Sequence, residues 1–167
     1  SAHIDNGEYE KAKEYINEII KASDKTAMHK YCENPTVNMI LSSYENTVKN
    51  NGIDFRYTLA IPRELPVSDI DLTSILSNAV ENACHAVLPL EKEQRYMSLD
   101  MRMRDGKLLI CLKNTFAEKP EIIDGVPRSR EPGHGFGTQS ILYVTEKLHG
   151  NCQFAVEEDL FIIRIIL

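Results

Sequence analysis

The chain has 167 residues, 43% of them hydrophobic, and a formal charge of −6 from 19 basic and 25 acidic side chains. That length and apolar content suit one globular domain with a sizeable core plus a short extension. The acidic balance argues against an electrostatic grip on a nucleic-acid backbone, so no nucleic-acid partner is expected.

The four cysteines, Cys32, Cys84, Cys111 and Cys152, are widely spaced and form no C-x-x-C pair. They fit reduced intracellular thiols better than zinc ligands or disulfides. No apolar run approaches the length of a membrane span, and Ser1 to Glu8 lacks signal-peptide architecture. The expectation is a soluble, cytoplasmic fragment that makes no membrane contact of its own.

Residues 8 to 22 place Tyr9, Ala12, Tyr15, Ile16, Ile19 and Ile20 at helical spacing, which predicts an amphipathic helix. A polar stretch from Ser23 to Asn34 follows, and this helix with its linker, residues 1–34, reads as an appendage to a domain spanning 35–167. Pro35 opens a second helical pattern through Val37, Ile40, Leu41, Tyr44 and Val48 that stops near Gly52. Ile53, Phe55, Tyr57, Leu59 and Ile61 alternate with polar or small residues, the period of a half-buried strand.

A third helix is predicted from Ser68 or Asp69, with Ser68 and Asp71 as a weak variant of a capping box and Pro89 as its end. Its apolar stripe is Leu72, Ile75, Leu76, Ala79, Val80, Ala83 and Val87. Two alternating runs, Tyr96 to Arg104 and Lys107 to Lys113, flank Asp105-Gly106, a strong hairpin signal. Residues 115 to 136 show no sustained periodicity and read as a long loop, a length that is usually functional or disordered. Gly137 to His149 is helical in pattern, with Gly150 as the expected C-cap, and a last hairpin turns at Glu157-Glu158-Asp159. Helices mixed with local hairpins predict a two-layer α/β sandwich, helices on one face of a mostly antiparallel sheet.

Two features carry chemistry. On the third helix, Asn78 and Asn82 lie one turn apart, so their amides project from one face. Asparagine is a mediocre helix former. A solvated polar face accounts for the pair, and so does an oxygen-ligand set for Mg²⁺, which prefers to keep waters and phosphate oxygens as its other ligands. The second feature is Gly133-His134-Gly135-Phe136-Gly137 at the start of a helix, where backbone N–H groups and the helix N-terminus can hold phosphate oxygens. No strand runs directly into these glycines and no Gly-Lys-Ser/Thr follows, so the string is neither a dinucleotide fingerprint nor a P-loop. The loop before it is a candidate lid, with Arg128 and Arg130 as candidate phosphate contacts or solvated cations.

With both features in place, the chain resembles the catalytic, ATP-binding domain of sensor histidine kinases, in the GHKL superfamily that also holds DNA gyrase B and MutL. Residues 72 to 87, containing Asn78 and Asn82, look like the family's N box; Gly133 to Gly137 looks like its second glycine box; and Leu148-His149-Gly150 matches the helix ending that follows. The resemblance spans residues 35 to 167 in element order. Asn6 to Ala12 is similar to the region before the ATP domain in the peptide-pheromone-sensing branch.

The resemblance implies a Bergerat-type fold and an ATP-dependent protein histidine kinase with ATP and Mg²⁺ as cofactors. Asn82 would be the principal metal ligand and Asn78 a second ligand or its support. Gly133, His134, Gly135, Phe136, Gly137 and Thr138 would lie against the nucleotide. His85 falls where related kinases carry a phosphate-touching lysine. Hydrolytic relatives have a glutamate at the place of Asn78, and an amide cannot act as that base. The first glycine box is replaced by Lys113-Asn114-Thr115-Phe116-Ala117, leaving Asn114 as a neutral acceptor for the adenine amino group. None of the five histidines sits in a matching histidine box. The implied partners are therefore the dimerisation and phosphoacceptor domain of a homodimeric, membrane-anchored parent and, through it, a response regulator. A degenerate GHKL domain serving as a docking module and a GHKL ATPase remain as alternatives.

Overall fold

A computed structural model describes residues 29–128 and 135–167. The predicted helix at residues 8 to 22 lies outside the described residues. Helix α1 spans Pro35–Asn50, where Asn34 caps its start by accepting from the Val37 N–H at 2.9 Å and Pro35 occupies the first turn. Gly52 ends the helix region with φ of 59°, a conformation glycine adopts without a Cβ clash. Strand β1 follows at Asp54–Ala60, then α2 at Asp69–Val87.

A single 3₁₀ turn at Lys92–Gln94 leads into β2 (Tyr96–Arg104), which turns through Asp105 and Gly106 into β3 (Lys107–Thr115). Both turn residues have positive φ, 51° and 75°, as a two-residue hairpin whose twist matches its strands requires. The remaining elements are β4 (Glu121–Ile123), β5 (Val126–Arg128), α3 (Phe136–Lys147), β6 (Asn151–Glu157) and β7 (Leu160–Ile166).

Five strands form one sheet in the order β1-β2-β3-β7-β6. Only β1 and β2 run parallel, joined by α2 as the crossover; the other neighbours are antiparallel. Met97, Leu99, Met101, Leu108, Ile110, Leu112, Ile163 and Ile165 face the helices and meet Leu72, Ile75, Leu76, Ala79, Val80 and Val87, all buried. Burial of each such leucine or isoleucine contributes roughly 1.5–3 kcal/mol, so this interface dominates the stability.

Polar ties fix the helices to one another. Thr36 Oγ1 donates to Asp69 Oδ1 at 2.6 Å and the Tyr44 hydroxyl donates to the Ser77 carbonyl at 3.2 Å, setting α1 alongside α2. Arg95 donates to the carbonyls of Asn51, Leu88 and Leu90 at 2.6–2.9 Å. One guanidinium thus satisfies carbonyls just past the C-terminal ends of two helices, where the dipole favours a cation.

Three local expectations are corrected. The stretch after β3 is not wholly irregular, because β4 and β5 pair across Asp124-Gly125, with φ of 51° and 78°. Their strands are too short for a period to show, although the Asp-Gly signal is the one seen at the β2–β3 turn. Gly150 is not the left-handed C-cap residue: His149 takes that conformation (φ 54°), and a Schellman pair closes α3, His149 N–H to the Glu146 carbonyl and Gly150 N–H to the Thr145 carbonyl, each at 2.9 Å. Gly150 is needed for closeness instead, since a Cβ there would lie 2.4 Å from the Ile166 carbonyl oxygen. Finally, Ser68 caps α2 by accepting from the Asp71 N–H at 3.2 Å, but the Asp71 carboxylate accepts from the Ser68 hydroxyl and from Lys147 instead of reaching back to the cap backbone. No helix of the described residues is long and apolar enough to cross a membrane.

Candidate functional site

Helix α2 presents Asn78, Asn82 and His85 at positions i, i+4 and i+7, along the flank where α3 packs. The Asn78 Nδ2 group donates to the Ser74 carbonyl at 2.6 Å. Its amide orientation is thereby set, with Oδ1 as the outward atom. The Asn82 amide has no hydrogen-bond partner among the described residues and lines a cavity.

Against this pair lies Gly137, in the first turn of α3. A Cβ at that position would stand 3.0 Å from both Nδ2 and Oδ1 of Asn82 and 3.1 Å from Oδ1 of Asn78. The two sequence features are therefore one packed contact, and the lack of a Cβ at position 137 lets the helices meet this closely without displacing the amides. At the far end Lys147 Nζ donates to the buried Asp71 carboxylate at 2.7 Å, so α3 runs back along α2 with both ends fixed. The Lys147 and Ser68 hydrogen bonds hold the Asp71 carboxyl below the usual carboxylate range.

The N-cap of α3 is Gly135, with φ of 116° and no side chain to occupy the first-turn N–H groups. Those donors are left beside the cavity, at the positive end of the helix dipole. The cavity measures about 280 Å³ and is walled by Asn82, Ala83, His85 and Ala86 of α2, Asn114 of β3, Phe161 and Ile163 of β7, Gly135 and Thr138 of α3, Pro127 and Arg128 of β5, and Pro120. Its polar lining is Asn82, His85, Asn114, Thr138 and Arg128, and among the described residues no carboxylate lines it. Its apolar lining is Ala83, Ala86, Phe161, Ile163 and the prolines. Such a lining suits a ligand that combines a flat apolar part with an anionic one.

Asn114 of that lining is 1% exposed. Its Nδ2 group donates to the Thr115 carbonyl at 2.8 Å, which leaves Oδ1 as the acceptor. Behind the cavity, burial pushes the Cys84 thiol up to about 11, and its sulfur lies 4.0 Å from that of Met97, so Cys84 is a core thiol. Among the described residues, His, Cys, Asp and Glu do not gather into a group able to hold a metal ion. Metal ligation here would fall to amide oxygens together with a ligand's own oxygens.

Of the residues singled out from sequence, the fold gathers Asn82, His85, Asn114, Arg128, Gly135 and Thr138 around one cavity and sets Asn78 and Gly137 directly against Asn82. Phe136 opens α3. Arg130, Gly133 and His134 lie outside the described residues. Sequence reasoning missed Phe161, Ile163, Ala86, Pro120 and Pro127. Ala86 was recoverable as the residue one turn beyond Asn82. The β7 residues were not, because nothing local says that the last strand lies beside β3.

Residues 67–167 match the GHKL-domain family, and the chain belongs to that family. Its helices and mixed five-stranded sheet are the GHKL ATP-binding sandwich of histidine kinase catalytic domains. The catalytic domain of histidine kinase ThkA superposes with a TM-score of 0.64 at 13% identity, covering 79% of this chain and 90% of that one. The mycobacterial sensor histidine kinase MprB gives 0.60 at 18%, covering 78% and 92%. Full-length ShkA in complex with AMPPNP gives 0.61 at 15%, covering 84% of this chain and 30% of ShkA. No curated protein sequence matches the chain.

Proposed function

We propose that this domain binds ATP with Mg²⁺ and is the catalytic half of a two-component sensor histidine kinase, delivering the γ-phosphate to a histidine outside the chain. The observation that carries the reading is the seating of Gly137 on Asn78 and Asn82, which puts a helix N-terminus and two amides in one place. An amide-oxygen set suits Mg²⁺, whose remaining ligands are phosphate oxygens and water, and Asn82 with Asn78 would hold it. When bound, the ion would offset charge on the phosphates.

The chain's own groups do the rest. The N–H groups of the first turn of α3 bind phosphate oxygens, with Arg128 adding positive charge and His85 lining the same cavity. Asn114 Oδ1 accepts from the adenine amino group, and Phe161 and Ile163 cover the base. Among the described residues no carboxylate lines the cavity, and at the place where hydrolytic relatives carry a glutamate base this chain has Asn78, whose amide cannot take that proton, so the site positions and neutralises for transfer to an external imidazole instead of hydrolysing.

In this reading residues 1–34 connect the domain at 35–167 to a dimerisation domain that carries the acceptor histidine. The parent is a membrane-anchored homodimer of the peptide-pheromone-sensing branch, its kinase domains lie in the cytoplasm, and the phosphate passes on to a response-regulator aspartate. The test is Asn82→Ala with calorimetric titration of ATP in the presence and absence of Mg²⁺. A loss of Mg²⁺-dependent affinity of about tenfold or more (~1.4 kcal/mol) is expected; unchanged binding and unchanged kinase output in the parent would remove the metal role. A non-catalytic docking module is the second reading, favoured by the neutral Asn114 at the base end, and absence of any ATP binding by the wild-type chain would select it.

A further inference from the structure

The two outer strands of the sheet differ in how their free edges are protected. Strand β1 carries the Arg56–Asp54 ion pair at 2.8 Å, and the Tyr31 ring, from the segment before α1, stands 5.1 Å from that of Tyr57. Strand β6, Asn-Cys-Gln-Phe-Ala-Val-Glu, has no proline, glycine or lysine and no charge before its last residue. Its seven residues pair one-to-one with β7 without a bulge, and among the described residues no strand covers its other side. Charges, prolines and bulges are the devices that keep sheet edges from pairing with other chains, and from Asn151 to Val156 β6 uses none of them.

A second observation lies beside this edge. Tyr143 of α3 is 70% exposed and borders a groove of about 500 Å³ between α3 and the start of β6, shared with Cys152. A large aromatic side chain thus stands exposed next to an edge that no strand of the described residues covers.

We propose that β6 is an association edge through which two copies of this chain pair antiparallel about a two-fold axis at Phe154, joining their sheets into one. The sequence of β6 is complementary to itself in that register. Asn151 falls opposite Glu157 of the second copy, Cys152 opposite Val156, Gln153 opposite Ala155, and Phe154 opposite its own counterpart. No like charges face each other, the one acid meets an amide, and this is the antiparallel register that pairs every residue of the strand. The contact is isologous and closes at two copies. Backbone hydrogen bonds supply the attachment, as in other strand additions, and Tyr143 lies at its flank.

The full chain is tested by sedimentation across a dilution series. The wild type is expected to form a dimer. Gln153→Lys with Ala155→Lys sets lysines directly opposite each other twice and should return the chain to monomer, whereas Gln153→Lys with Ala155→Glu sets opposite charges there and should keep the dimer. Independently, Val156→Cys sets a new thiol opposite the native Cys152 of the second copy, and mild oxidation should join the two peptides in a cross-link mapped by mass. A monomeric wild type, a double-lysine variant that stays dimeric, a lysine–glutamate variant that falls to monomer, or failure of the mapped cross-link would each overturn the proposal.

Discussion

The two walls of the cavity are built in opposite ways. The helix wall is made by α2 and α3, so close at position 137 that a Cβ there would stand 3.0 Å from the Asn82 amide, with Asp71 and Lys147 fixing the far end of the pair. The other wall is β3 and β7 together with the β4–β5 hairpin, whose three-residue strands contact chiefly each other. The helix wall is part of the core, and the hairpin is a light cover laid beside it. Phosphate binding should therefore be inseparable from helix packing, whereas recognition of the base should be separable from stability.

The sharpest way to break that contrast is Gly137→Val. The added Cβ would stand 3.0–3.1 Å from the Asn78 and Asn82 amides. ATP affinity should fall about a hundredfold (~2.7 kcal/mol) by calorimetry, and inorganic tripolyphosphate affinity should fall with it. If only ATP weakened, the helix wall would not be where phosphate is held.

Asn114→Leu probes the opposite wall with a smaller effect. Removing the Oδ1 acceptor should weaken ATP about tenfold and leave tripolyphosphate unchanged, and equal loss for both ligands would erase the distinction. The smallest effect concerns the clip between the helices. Because the folded state holds the Asp71 carboxyl below its usual range, its contribution is present at neutral pH and disappears as pH falls through about 4 toward the lowered value. Thermal unfolding of wild type and Asp71→Asn should differ most near neutrality and converge at low pH; parallel curves would show that the Lys147 contact adds no charge-dependent stability.

Much of the helix wall was legible in sequence. Asparagines four apart on an apolar-striped helix, and a glycine string opening another helix, are local patterns governed by helix geometry, and Asn78, Asn82 and Gly137 stand where those patterns put them. The cover was less legible. A three-residue strand shows no period, so the hairpin at Asp124-Gly125 passed for loop. Arg95 and Asn34 escaped notice for another reason: each hydrogen bonds across the fold, Arg95 to Asn51 and Asn34 to the Arg63 carbonyl at 2.9 Å, and no spacing announces such a partner.

By itself the sequence determined the order of the long elements, the two-layer class and the placing of two asparagines on one helix face, because hydrophobic period and turn chemistry act within a few residues. Only the tertiary structure decided that β7 inserts between β3 and β6, that Gly137 closes on the asparagine pair, and that Gly150 meets a close approach while His149 takes the left-handed position. Those outcomes depend on which distant surfaces bury one another most completely, and close packing settles that over the whole chain at once.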